Sequence, residues 1–314
     1  MVGVRPQVAL MFDRLKQRIL QRLDLPRIAQ RADTAADAVV HLESAVDRLD
    51  ALVGDSPDGR PSLRAEVDAL RRWSRIQQTT VWAATAPLLV APRISVVMPT
   101  RNRSTRVTAA IASVEAQTYA SWELVIVDDG STDETPAVLA ARAADEPRIT
   151  VTRTEGVGAA AARNVGLAAA TGDWVAFLDD DNMMHAGWLR AVAEYVGRTP
   201  DCTALYGAQL RDDVRGGDTV PWLLFDDEPS LERLVLNNTI DLGVLAVRAG
   251  HPELRFDEEL SVYIDWELVV RLFRHAPVHP VPVLASSYTS TSPTRITDQH
   301  GDEPLAAMRR RLAP

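Results

Sequence analysis

A chain of 314 residues with 46% hydrophobic content can bury one sizeable core and a small extra region. Its formal net charge of −9 excludes a general affinity for nucleic acid. Its single cysteine, Cys202, excludes an internal disulfide; a reducing, cytoplasmic setting is expected, with the thiol acting as a buried small hydrophobe. No apolar run approaches the length needed to cross a bilayer, and Val8 to Phe12 is far too short for the apolar core of a secretory signal.

The first element in chain order is an amphipathic helix with Val8, Phe12, Leu15, Ile19 and Leu23 on one face and Arg14, Lys16, Arg18 and Arg22 supplying positive charge. It fits a helix lying on an anionic membrane as a peripheral contact, and equally an ordinary surface helix with a solvated basic side. Next, Val39, Leu42, Val46, Leu49 and Val53 alternate at steps of three and four, the a/d seam of a short coiled coil. The turn-rich Gly54-Asp-Ser-Pro-Asp-Gly-Arg-Pro61 and a second stripe at Leu63, Val67, Leu70 and Trp73 make a helical hairpin an equal alternative. These helices could pair two chains as a homo-oligomer or pack onto the rest of the protein. We therefore expect a helical extension over residues 1–90, a separate domain over 91–300, and a tail over 301–314.

From Ile94 the pattern changes to short apolar runs that each end in polar residues. Ile94-Ser-Val-Val-Met-Pro-Thr-Arg-Asn-Arg103 is a strand followed by an amphipathic stretch from Thr105 to Gln117. Trp122-Glu-Leu-Val-Ile-Val-Asp-Asp-Gly-Ser-Thr-Asp133 is a buried strand tipped by carboxylates, and a third strand, Arg148 to Arg153, precedes a glycine-opened helix, Gly156 to Gly166. Trp174-Val-Ala-Phe-Leu178 then runs into Asp179, Asp180 and Asp181. Strands alternating with helices predict a parallel sheet with helices on both faces and one shared ligand edge at the carboxyl ends of the strands. Three carboxylates there invite a counterion, and Mg²⁺ or Mn²⁺ beside a diphosphate is typically held by one or two carboxylates. A solvated turn is the alternative, with Asp181 and Asn182 capping a helix from His185 to Val196.

Five segments, in order, carry a resemblance: Ser95-Val-Val-Met-Pro-Thr-Arg-Asn102, Ile126-Val-Asp-Asp-Gly-Ser-Thr-Asp133, Ala162-Arg-Asn-Val-Gly166, Gly172-Asp-Trp-Val-Ala-Phe-Leu-Asp-Asp-Asp181 and Tyr263-Ile-Asp-Trp-Glu-Leu-Val-Val-Arg271. From about residue 93 to about 297 the chain resembles glycosyltransferase family 2. Members of that family have the A-type glycosyltransferase fold, a Rossmann-like, mostly parallel sheet with flanking helices, and mostly invert configuration at the sugar.

The resemblance implies a role for each matched position. Pro99, Thr100 and Arg101 would line the nucleotide pocket, and Asp129 or its neighbour Asp128 would accept the imide N–H of uracil or thymine; an Asx turn closed by Gly130 is the plainer use of that pair. Arg163 would approach the nucleotide or its diphosphate, and its plainer use is a surface salt bridge to Asp133 or Glu155. Asp181, with Asp179, would hold Mn²⁺ or Mg²⁺, and Asp179 or Asp180 would reach the ribose. Asp265 would be the general base, although a helix cap is compatible with the same position. Ile264 replaces the acidic residue commoner at that place, leaving Glu267 as the nearby carboxylate.

The implied activity is inverting transfer of a sugar from a UDP- or dTDP-sugar to an acceptor hydroxyl of a glycan, lipid-linked sugar, protein or small molecule. A catalytically inactive nucleotide-sugar-binding scaffold assembling through the N-terminal helices is the alternative. The Gln-x-x-Arg-Trp motif of the membrane-embedded synthases is absent. Pro99-Thr-Arg-Asn-Arg103 is also not the glycine-rich loop a sugar-nucleotide pyrophosphorylase needs. Among the histidines, His300 is a candidate late metal ligand, and His185, His251 and His275 read as surface residues. The acceptor side falls to about residues 206–288, where Trp222 and Trp266 could stack on a sugar or fill core.

Overall fold

The computed structural model describes residues 63–215, 218–289 and 302–312. The stripe at Val39 to Val53, the basic helix before it and His300 lie outside the described residues. The chain divides into two compact units, residues 1–75 and 76–314. Helix α1 spans Leu63–Thr85. In the second unit its last turns contribute buried Ile76 and Ala83. Thr80 Oγ1 accepts from the Leu284 amide at 3.2 Å, and the carbonyls of Ala83, Ala84 and Ala86 accept from the Arg190 guanidinium at 2.7 to 3.0 Å.

The parallel half follows the expected alternation: β1 (Ile94–Thr100), α2 (Val107–Glu115), β2 (Trp122–Asp129), α3 (Thr135–Asp145), β3 (Ile149–Thr154), α4 (Ala159–Ala169) and β4 (Trp174–Phe177). All eight residues of β2 are buried, as a strand covered on both faces requires. Helix α4 lies close on the sheet because Gly166 lacks a side chain: a Cβ there would stand 2.5 Å from Val97 Cγ1.

The second half departs from the expectation. It comprises β5 (Asn182–Met184), α5 (Trp188–Arg198), β6 (Ala204–Arg215), β7 (Asp218–Leu224), α6 (Leu231–Leu236), a 3-10 turn at Leu242–Val244, β8 (Leu245–Arg248), α7 (Ile264–His275), β9 (Val278–Thr289) and α8 (Asp302–Leu312). The strands run β3-β2-β1-β4-β8-β6-β9-β5, with β7 paired to β6. β1, β2, β3 and β4 are mutually parallel, while β8 is antiparallel to both β4 and β6, β7 to β6 and β5 to β9. The sheet is therefore mixed: β6 runs parallel to β9, and the second half joins one hairpin, β6–β7, to strands connected through helices. The segment expected to be a tail is helical, and its Met308 and Leu312 are buried. Asn182 begins a strand, and the helix after it starts only at Trp188, so Asp181 and Asn182 cap nothing. Among the described residues no helix is long and apolar enough to cross a membrane. Cys202 is buried, and burial pushes its thiol up to about 11, which leaves it inert as a nucleophile.

Candidate active site

The carboxyl ends of β1, β2 and β4 bring the matched residues to one edge. The loop after β1 is knitted to the loop after β2: the amides of Asn102 and Arg103 donate to Ser131 Oγ and Thr135 Oγ1, each at 2.9 Å, and Asn102 Oδ1 accepts from the Thr132 amide at 2.8 Å. Asn102 holds φ 53°, a conformation its short polar side chain tolerates. The Arg101 guanidinium stands over Gly156, where a Cβ would meet it at 3.3 Å.

The two carboxylates of β2 are buried and already bonded. Asp128 accepts from the Ser131 amide at 3.0 Å and from Arg153 Nη1 at 2.7 Å. Asp129 accepts from Thr154 Oγ1 and the Val157 amide at 2.7 Å and from the Gly158 amide at 2.9 Å. Burial raises the Asp129 carboxyl, but these three donors outweigh it and hold the group below the usual range. Gly130, at φ 75°, permits this closeness, since a Cβ there would meet the Gly156 nitrogen at 2.9 Å. With about four lone-pair sites per carboxylate, each keeps one or two for an outside donor. The turn closed by Gly130 is thus real for Asp128, while Asp129 latches the start of α4.

At the end of β4 the three aspartates separate in role. Asp179 Oδ1 accepts from Arg163 Nη2 at 2.6 Å, so Arg163 pairs with the acidic cluster and not with Asp133 or Glu155. Asp133 instead takes the Thr135 amide at 2.9 Å at the start of α3. Asp180 turns inward, accepting from Thr100 Oγ1 at 2.6 Å with Arg103 Nε 3.8 Å away. Its burial first, and then the charges of Asp181 and Asp179, push its carboxyl up to about 6. Asp181 is half-buried and is raised by burial and by Asp179, against a weaker pull from Arg103 and Arg106.

Carboxylate oxygens are the donors a hard divalent cation takes, and Asp179 raises the Asp181 carboxyl by a repulsion of the kind a cation relieves. Among the described residues no three His, Cys, Asp or Glu side chains are gathered as a complete protein cage. A cation here would thus take its remaining ligands from water or substrate, as Mg²⁺ and Mn²⁺ do beside phosphates.

Asp265 stands in the first turn of α7, after Tyr263, which holds the left-handed φ of 57°. Asn238 Nδ2 donates to Asp265 Oδ2 at 3.1 Å. Burial and the neighbouring Asp241 raise the Asp265 carboxyl, against the Trp266 amide, Asn238 and Arg163. Glu267 is bound by Arg271 at 2.9 and 3.0 Å and lends Asp265 no second carboxylate. Trp266 is core, its Nε1 donating to the Leu234 carbonyl at 2.5 Å. Trp222 is half-buried, with the Arg211 guanidinium 5.5 Å from its ring centre. Sequence reading missed Arg153, Thr154, Asn238 and Asp241; the polar run Asn237-Asn-Thr-Ile-Asp241 was the only signal for the last two.

Residues 95–243 match the family model for glycosyl transferase family 2. An uncharacterized glycosyltransferase of Haemophilus influenzae is 34% identical over 173 residues, covering 54% of this chain and 55% of that protein; the chain thus spans about half of that relative's length. A PGL/p-HBAD biosynthesis glycosyltransferase of Mycobacterium tuberculosis is 30% identical over 209 residues, covering 64% of this chain and 75% of that one. Among solved structures, Staphylococcus aureus TarS 1-349, in complex with UDP-GlcNAc, aligns with a TM-score of 0.59 at 21% identity over 70% of this chain and 65% of TarS. That likeness gives the fold, the A-type glycosyltransferase architecture expected from the motifs. The match to the family model, together with the span of the mycobacterial relative, places the chain in glycosyltransferase family 2.

Proposed function

We propose that the protein is a metal-dependent inverting glycosyltransferase moving a sugar from a UDP- or dTDP-sugar to an acceptor hydroxyl by single displacement. The observation that carries this reading is the position of Arg163. It bonds Asp179 at 2.6 Å, and its charge favours the ionised form of Asp265, which supports assigning the donor cluster and the base to one site. Pro99, Thr100 and Arg101 line the nucleotide, and Asp128 or Asp129 takes the imide proton with its remaining lone pairs. Arg163 turns its guanidinium to the diphosphate, and Asp179 or Asp180 reaches the ribose. Asp181 and Asp179 would hold Mn²⁺ or Mg²⁺, which supplies Lewis-acid stabilisation of the leaving diphosphate. Asp265 accepts the proton of the attacking hydroxyl, and the burial that raises its carboxyl makes it a stronger base.

The test is a thermal-shift panel of UDP-, dTDP- and GDP-sugars with and without Mn²⁺, beginning with UDP-GlcNAc, the ligand seen in TarS. A donor at a hundred times its Kd adds about 2.7 kcal/mol, or about 5–10 °C in a domain of this size. A shift confined to UDP- or dTDP-sugars with metal is expected. No shift with any member, or the same shift in EDTA, overturns the proposal.

A further inference from the structure

The family pattern commonly places an acidic residue just before the base, and here that position holds Ile264, whose apolar side chain is buried. Besides the Trp266 amide, a side-chain contact to Asp265 comes from another element. Asn238 lies on the loop between α6 and the 3-10 turn, and its Nδ2 donates to Asp265 Oδ2 at 3.1 Å.

The loop is pinned at both ends. Before it, the Leu234 carbonyl of α6 accepts from Trp266 Nε1, one residue beyond Asp265. After it, Asp241 Oδ2 accepts from Arg211 Nη2 of β6 at 2.6 Å, and Asp241 Oδ1 takes the Gly243 amide at 2.8 Å. Asn238 itself is exposed, so its side chain fills no core space that would explain its placement.

We infer that Asn238 is a positioning residue for Asp265, its amide fixing one carboxylate oxygen so that the other faces the acceptor hydroxyl. This rests on the proposed reading of Asp265 as the base. In the step it serves, the acceptor O–H proton passes to the free oxygen of Asp265 as the acceptor oxygen bonds the anomeric carbon. The bond from that carbon to the phosphate oxygen breaks, and its electron pair leaves with the diphosphate. A carboxylate free to rotate would meet the hydroxyl at variable distance and angle, and small misplacements of a reacting group cost large factors in rate. The charged groups facing Asp265 are Asp241, which disfavours its ionised form, and Arg163, which favours it.

The test titrates Asp265 by carboxylate ¹³C NMR in the full chain, for the wild type and for N238A, N238D and N238S. It also follows UDP release from UDP-GlcNAc with water as acceptor. In N238A the Asp265 titration moves to higher pH, because a donor to the charged form is lost while Asp241 still repels it. In N238D a second carboxylate faces Asp265 and the shift is larger; the hydroxyl of N238S restores part of it. For UDP release, N238A loses about ten- to a hundredfold in kcat with donor KM unchanged. The titration needs no turnover, so it decides the matter whatever the donor. An Asp265 titration that stays in place in both N238A and N238D overturns the inference. The control D265N separates the two readings: wild-type release from D265N removes the base assignment itself, whereas an inactive D265N beside unaltered Asn238 variants removes only the role of Asn238.

Discussion

Asp129→Asn separates the latch that the structure shows for this residue from the nucleotide contact proposed for it. The substitution keeps the shape, and Oδ1 can still accept from Thr154 Oγ1 and the Val157 amide. The other position becomes an NH₂ group facing the Gly158 amide, so a charge-assisted bond of 2.9 Å is replaced by two opposed donors. Losing a hydrogen bond to a charged acceptor costs about 1.5–3 kcal/mol, a fall in Tm of about 3–12 °C. The effect also has a pH signature. The folded-state carboxyl is held below its usual value, so its contribution is present above the unfolded value and is lost as pH falls through the folded one. The wild-type advantage over D129N should therefore shrink below about pH 4. Denaturation at pH 7 and pH 3, with UDP calorimetry alongside, reads both roles. A variant of unchanged stability that has lost UDP would refute the latch and leave Asp129 purely a nucleotide reader.

Other perturbations address separate parts of the account. Asp181→Asn should abolish Mn²⁺-dependent nucleotide binding in calorimetry while Tm holds or rises, because one charge leaves a repelling pair; retained metal-dependent binding removes the metal assignment. Asp265→Asn should lose about two to four decades of turnover with donor affinity intact, and an equal loss of donor affinity would make Asp265 structural. Gly166→Ala forces a Cβ to within 2.5 Å of Val97 and should cost about 1–3 kcal/mol by overpacking in chemical denaturation; a neutral result would mean α4 sits further from the sheet. Ile76→Ala should cost about 2–4 kcal/mol, since Ile76 is 1% exposed; if it is silent, the last turns of α1 add nothing to the catalytic unit.

The parallel half was legible because its signals are local. Each of β1, β2 and β4 is an apolar run that ends in the residues it delivers, so Thr100, Asp129 and Asp179 could be placed at one edge before any coordinates. Their partners could not be placed. Asp129 is held by backbone amides 28 and 29 residues away, and an amide leaves no trace in a sequence. The division of labour in the Asp179 to Asp181 run was equally hidden: which carboxylate turns inward depends on Thr100, 80 residues before Asp180. In the second half the periodicity failed for a physical reason. β6 pairs with β8 over its first residues and with β7 over its last, while β9 runs along its other edge from Ala204 to Asp212 and shifts register near Tyr206 and Ala208. No single alternation of apolar and polar residues survives three partners. The place of Asp265 in the first turn of its helix was readable, but Asn238 and Asp241 lie on a loop whose relation to that helix exists only in space.

The central claim is metal-dependent transfer with inversion, and it is tested most directly by the anomer formed when water replaces the acceptor. Proton NMR of the sugar released from an α-linked UDP-sugar that binds in the panel, recorded in the first minutes with Mn²⁺, should show the β anomer before mutarotation, with release lost in EDTA and in D265N. The α anomer appearing first, or release that persists in EDTA, would contradict the account; bound donor with no release at all would leave a scaffold in place of an enzyme.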